Sequence, residues 1–89
     1  MSSIKDLLRG ELIGLHARVV MSSHPGLIGT EGKIIDETKN LLILRTQRGD
    51  KKIPKNTSVF LITFPDGNEV KVDGIKILGR PEDRIRKYG

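Results

Sequence analysis

The residues able to do acid–base or metal chemistry are few. The histidines are His16 and His24, and neither has a partner at the spacing of a metal-ligand or catalytic motif such as H-E-x-x-H. Cysteine is absent, which removes thiolate ligands, cysteine nucleophiles and disulfides together. The stretch Gly26-Leu-Ile-Gly-Thr-Glu-Gly32 is glycine-rich, but it lacks the Lys-Ser/Thr of a phosphate-binding P-loop and leads into a predicted strand. The chain is therefore expected to carry no catalytic residue and no metal site.

The cations are more informative. Arg45, Arg48, Lys51, Lys52 and Lys55 stand within eleven residues against a single anion, Asp50. On a hairpin they are expected to converge on one rim as a positive stripe able to follow a phosphate backbone. A second cluster, Arg80, Arg84, Arg86 and Lys87, is offset by Glu82 and Asp83. These clusters account for much of a net charge of +5 over 89 residues. A polyanion relieves the repulsion within each cluster and gains from released counterions. Aromatic residues make up only 3% of the chain, Phe60, Phe64 and Tyr88. Phe60 and Phe64 are predicted to face a core. Reading single-stranded bases by stacking, or gripping a proline-rich peptide, needs exposed rings the chain hardly has. Recognition of a folded RNA by shape and backbone fits better.

These side chains must be held by some framework. Ile4, Leu7, Leu8, Leu12 and Leu15 recur at spacings of three and four, the stripe of an amphipathic helix over Ile4–Ile13. Such a short helix needs a surface to pack on, either its own domain or a partner protein. From Leu15 onward the pattern is β. Five or six strands are predicted, at 16–22, with Ala17, Val19 and Met21 on one face, then at 29–37, 41–47, 51–55, 58–64 and 69–73, with Gly74 as a bulge before 75–78. Turns are predicted at Pro25-Gly26, Thr38-Lys-Asn40, Arg48-Gly-Asp50 and Pro65-Asp-Gly67. Pro54 places its segment at an edge or a bend.

Short strands with no helix between them predict a mainly β, strongly bent, small antiparallel barrel, with Gly29, Gly32 and Gly74 at the sharp curves. Pro81, the acidic Glu82 and Asp83 and the basic residues after them predict a short C-terminal helix or tail. The expected organisation is an N-terminal extension at 1–14, a β-barrel at 15–79 and a basic tail at 80–89. The longest apolar run, Leu41–Leu44, cannot span a bilayer. A small cysteine-free chain without a signal-peptide pattern is expected to be intracellular.

The order of particular residue strings adds a resemblance. Glu11-Leu-Ile-Gly-Leu15, the block from Pro25 to Leu42, Ile53-Pro-Lys55, Val59-Phe60 and Gly79-Arg-Pro-Glu-Asp-Arg-Ile85 resemble the archaeal ribonuclease P protein component 1 family, related to the eukaryal ribonuclease P/MRP barrel subunit. The resemblance implies an Sm-like or SH3-like barrel with a helical N-terminal extension. It implies a noncatalytic subunit of the ribonucleoprotein that removes the 5′ leader from precursor tRNA in the cytoplasm. There the RNA cleaves with Mg²⁺, the protein binds no cofactor, and its contact with precursor tRNA is indirect. Within the matching blocks, the resemblance implies RNA contact by Lys39, Asn40, Arg80 and Arg84. It also implies that Ile4, Leu7, Leu8, Leu12 and Ile13 meet a small zinc-ribbon protein subunit. Gly26–Ile34 is similar as well to the KOW-type barrels of ribosomal and transcription proteins, which leaves a second RNA-binding alternative. Val72-Asp-Gly-Ile75 resembles the second Sm motif, except that Asp73 stands where those proteins place a base-contacting arginine.

Overall fold

The computed structural model describes residues 12–80 and 83. Six strands, β1 (His16–Ser22), β2 (Glu31–Glu37), β3 (Leu41–Thr46), β4 (Gly49–Pro54), β5 (Ser58–Thr63) and β6 (Glu69–Asp73), form the framework. They make one sheet in the order β4-β3-β2-β1-β5-β6, and each neighbouring pair is antiparallel. β3 and β5 carry the runs Leu-Leu-Ile-Leu and Val-Phe-Leu-Ile, residue types that fit a pleated, half-buried surface. β4 is an edge strand, where Pro54 removes no ladder donor that a neighbour needs.

Every strand sends side chains into one core. Ala17 and Val19 of β1, Ile34 of β2, Leu42 and Leu44 of β3, Ile53 of β4, Phe60 and Ile62 of β5 and Val72 of β6 form a single buried cluster. A sheet whose first and last strands share one core must be strongly bent. No ladder joins β6 to β4 among the described residues, so the expected barrel is not closed by strand pairing.

Two bulges supply part of the bend, and each changes which residues face inward. In the β1–β5 pair the register slips between Val19 and Met21. Strict alternation placed Met21 with Ala17 and Val19; the extra residue, Val20, instead turns Met21 out to 57% exposure. In the β2–β3 pair the slip falls between Ile34 and Asp36. Glu37 rather than Asp36 therefore follows Ile34 onto the buried face.

The segment 75–78, expected to run on as strand after a bulge at Gly74, is a 3-10 turn at Gly74–Ile77. Asp73 explains why: its carboxylate accepts the Ile75 N–H at 3.2 Å, capping the turn. That is the structural use of the residue that departs from the Sm pattern. Ile77 then enters the core. The β3–β4 turn is made by Gln47 and Arg48, one residue earlier than predicted. Thr46 Oγ1 accepts the Arg48 N–H at 3.1 Å and donates to the Gly49 carbonyl at 2.7 Å.

Two of the glycines expected at curves are places of close backbone approach. A Cβ on Gly32 would lie 2.0 Å from the Arg45 carbonyl oxygen, and one on Gly74 would lie 1.8 Å from that of Lys55 and 2.8 Å from that of Ser58. Backbone cannot step aside as a side-chain tip can, so Gly74→Ala is expected to cost about 1–3 kcal/mol, the range for overpacking a tight site. A urea unfolding curve with an unchanged midpoint would refute this.

Leu12 corrects one expectation. Assigned to a partner-binding stripe, it is fully buried in the chain's own core. A turn fixes it there: the Leu15 N–H donates to the Leu12 carbonyl at 3.1 Å, the Gly14 N–H to Ile34 at 2.8 Å, and the Ile34 N–H to Leu15 at 2.8 Å. The neighbouring Ile13 is 42% exposed. Ile4, Leu7 and Leu8 lie outside the described residues, as does most of the predicted C-terminal helix.

Candidate nucleic-acid interface

The β2–β3 turn is built around a buried ion pair. Lys55 Nζ lies 2.8 Å from Glu37 Oε2, with both side chains fully shielded from solvent. The ammonium also donates to the carbonyls of Thr38 at 2.7 Å, Gly79 at 3.0 Å and Lys39 at 3.5 Å. An ammonium has three protons to place, and here all its directions point at protein oxygens. Backbone bonds finish the knot: the Lys55 N–H donates to Asn40 and the Gly79 N–H to Lys39, each at 2.8 Å. Thr38 Oγ1 accepts the Leu41 N–H at 3.0 Å. The knot thus fixes the exposed Lys39 and Asn40 beside Gly79, and with it the start of the exposed Arg80.

Lys55 therefore departs from the expected stripe. Its proximity in sequence to Lys51 and Lys52 suggested a surface cation; its ammonium is shielded from any phosphate and serves the fold. Alternation divides the other hairpin cations. Arg45 opposes Asp50 and Lys52 opposes Ile43, while Lys51 opposes the buried Leu44. Directly opposed residues share a face, so Arg45 and Lys52 lie on the outer face and Lys51 on the core side, exposed beyond the core's edge. Arg48 occupies the turn. The cations do not form one stripe.

They form two poles. One holds Lys39, Asn40 and Arg80; the other is the hairpin tip with Arg45, Arg48 and Lys51. The strand between them separates Asn40 from Arg45 by about 17 Å at the rise of a β-strand. Arg84, Arg86 and Lys87 lie outside the described residues, and the Asp83 N–H donates to the Arg80 carbonyl at 3.0 Å.

The register also reveals a cation, Lys33, that sequence clustering missed. Lys33 stands directly opposite Arg45 on β3, and His16 directly opposite Lys33 on β1. All are exposed on the outer face. His16 Nε2 lies 3.4 Å from Glu31 Oε1, and Arg45 Nε lies 3.6 Å from Asp50 Oδ1. No other Lys or Arg lies within five residues of Lys33 in sequence, so only the strand pairing could find it. Between the connection 26–32 and the hairpin tip runs an open groove of about 790 Å³. Among the described residues no group of His, Asp and Glu could hold a metal ion, and no helix is long and apolar enough to cross a membrane.

Fold and surface together define a small, strongly bent, antiparallel β domain with separate patches of exposed cations. The model of the ribonuclease P/MRP subunit p29 family matches residues 5–87, and the chain belongs to that family. Ribonuclease P protein component 1 of Methanosphaera stadtmanae is 47% identical over 93% of this chain and 89% of its own length. The protein of the same name from Pyrococcus furiosus is 45% identical over 93% of this chain. The chain spans 65% of the length of that relative. The solved structure of Mth11, described as a homologue of the human RNase P protein Rpp29, matches with a TM-score of 0.62 and 40% identity, covering 86% of this chain and all of that one.

Proposed function

We propose that the chain is a noncatalytic RNA-binding subunit of ribonuclease P, supporting the catalytic RNA in removing the 5′ leader from precursor tRNA. Family membership names the assembly. One structural observation carries the RNA-binding role: Lys33 and Arg45 face each other across β2 and β3. Like charges directly opposed destabilise a sheet. Asp50 offsets only part of this, and a phosphate beside the pair relieves the rest with release of counterions. The KOW-type alternative rests on the 26–34 stretch alone and leaves the match over 5–87 without an explanation.

In this reading the exposed Lys39, Asn40, Arg45, Arg48, Lys51, Lys52 and Arg80 contact RNA, joined by Lys33 and by Arg84, Arg86 and Lys87. Neutralising phosphates where RNA helices crowd lowers the Mg²⁺ the RNA needs. The Mg²⁺ belongs to the RNA, and the protein binds no cofactor. The bent sheet is of the Sm-like or SH3-like kind, and its core takes in the turn that begins at Leu12. Ile4, Leu7, Leu8 and the exposed Ile13 face a small zinc-ribbon subunit, and the assembly works in the cytoplasm.

The test is reconstitution of precursor-tRNA cleavage from the RNA and its protein subunits, with and without this chain, across a Mg²⁺ series. Omission is expected to raise the Mg²⁺ required. A chain carrying Lys33→Glu and Arg45→Glu is expected to behave as a partial omission, with RNA affinity that depends less steeply on salt. An unchanged Mg²⁺ requirement on omission would reject the assignment.

A further inference from the structure

We propose that the groove between the 26–32 connection and the β3–β4 tip takes an unpaired stretch of RNA, while paired RNA lies on the Lys39–Arg80 pole. This rests on the RNA-binding reading and divides its surface in two.

The groove volume, about 790 Å³, falls within the range of sites that enclose small organic ligands, roughly 300–1,000 Å³. Its lining joins two kinds of chemistry. Arg45, Arg48 and Lys51 come from the hairpin, and Ile28 comes from the facing connection. Ile28 is 49% exposed, a large aliphatic side chain left in solvent beside cations. Glu31, the carboxylate of the lining, has the His16 Nε2 3.4 Å from its Oε1. Gln47 at the turn adds an amide with both donor and acceptor.

A paired helix would use only part of this set. It presents phosphates on a convex surface and keeps its base faces stacked inside. Ile28 would then meet backbone, and the concavity would stay unfilled. An unpaired nucleotide offers both parts at once. Its phosphate answers Arg48 and Lys51, its base face covers Ile28, and its base edge can bond to the Gln47 amide. Aliphatic contact lends less to a base than an aromatic ring does, so binding is shallow and tolerant of base identity. The second pole, about 17 Å away along β3, offers Lys39, Asn40 and Arg80 on an exposed turn. Those residues suit backbone contact.

The experiment follows amide shifts of the full chain during titration with single-stranded oligouridylate, and separately with a fully paired RNA hairpin of equal phosphate count. The single strand is expected to move the amides of Ile28, Gly29, Thr30 and Gln47, and the hairpin those of Lys39, Asn40 and Arg80. Arg48→Glu combined with Ile28→Ser is expected to weaken single-strand binding about tenfold, the scale of one lost charge-assisted contact. Hairpin affinity should stay nearly constant. Both positions are exposed, and a melting curve confirms that the variant is folded. The division is overturned if the hairpin moves the groove amides, if the single strand maps to the other pole, or if the variant weakens both RNAs alike; RNA binding itself would survive these results. Binding of neither RNA overturns the division and the RNA-binding reading together.

Discussion

Replacing Lys55 with methionine is expected to destabilise the domain by about 3–5 kcal/mol, the cost of removing one partner from a buried ion pair. Methionine matches the length of the stem, so packing is largely kept. The carboxylate of Glu37 is left with no solvent and no ammonium, where it has a partner at 2.8 Å. The carbonyls of Thr38 and Gly79 lose their donor in the same step. Small domains hold only about 5–15 kcal/mol in all, so the variant should melt far below the parent chain. Adding Glu37→Met should recover part of the loss, because replacing a buried pair by apolar groups is often neutral. A single variant as stable as the parent would show that water already reaches the pair. An unrecovered double variant would show that the carbonyl bonds matter more than the charge. Amide exchange at Lys39, Asn40 and Gly79 should rise in the single variant, since those groups are tied to one another through the knot.

That pair also marks where reading from the chain alone stops. The strands were legible because β3 and β5 are dense in branched and aromatic residues and the turns carry Pro, Gly and Asn. The core was legible wherever alternation held, as at Ala17, Val19 and Phe60, with Phe64 packed against it. It failed after each bulge. A bulge shifts the inward phase by one residue, and nothing local in Val20 or Ile35 announces it. Alternation thus groups Met21 with Ala17 and Val19, and gives no sign that Glu37 turns inward. The exchange at Glu37 made Lys55 unreadable, because a lysine among lysines looks like surface unless its buried carboxylate is known. Lys33 was missed for the opposite reason. Its cationic neighbour, Arg45, lies twelve positions away in sequence but directly across the ladder. Charge clusters along a chain find loops and tails; those made by a sheet require the register.

Leu12→Ala is the second large effect, expected at about 2–5 kcal/mol for emptying a buried aliphatic site. The stripe of residues three and four apart leaves this leucine two roles, packing on its own domain or on a partner, and the family resemblance implies the partner. The structure instead gives it no exposure and sets it in the same cluster as Ile34 and Leu42. The loss should therefore appear in the isolated chain, in urea unfolding with no RNA and no partner present. Ile13 provides the contrast. At 42% exposure it contributes little to the core, and Ile13→Asp should leave the unfolding midpoint nearly unchanged while weakening capture of the proposed zinc-ribbon subunit. A partner contact and a core contact are then separated by adjacent residues. If Leu12→Ala leaves the isolated chain's midpoint where it was and affects only partner capture, Leu12 belongs to the interface and the turn from Leu12 to Leu15 does not hold it in the core.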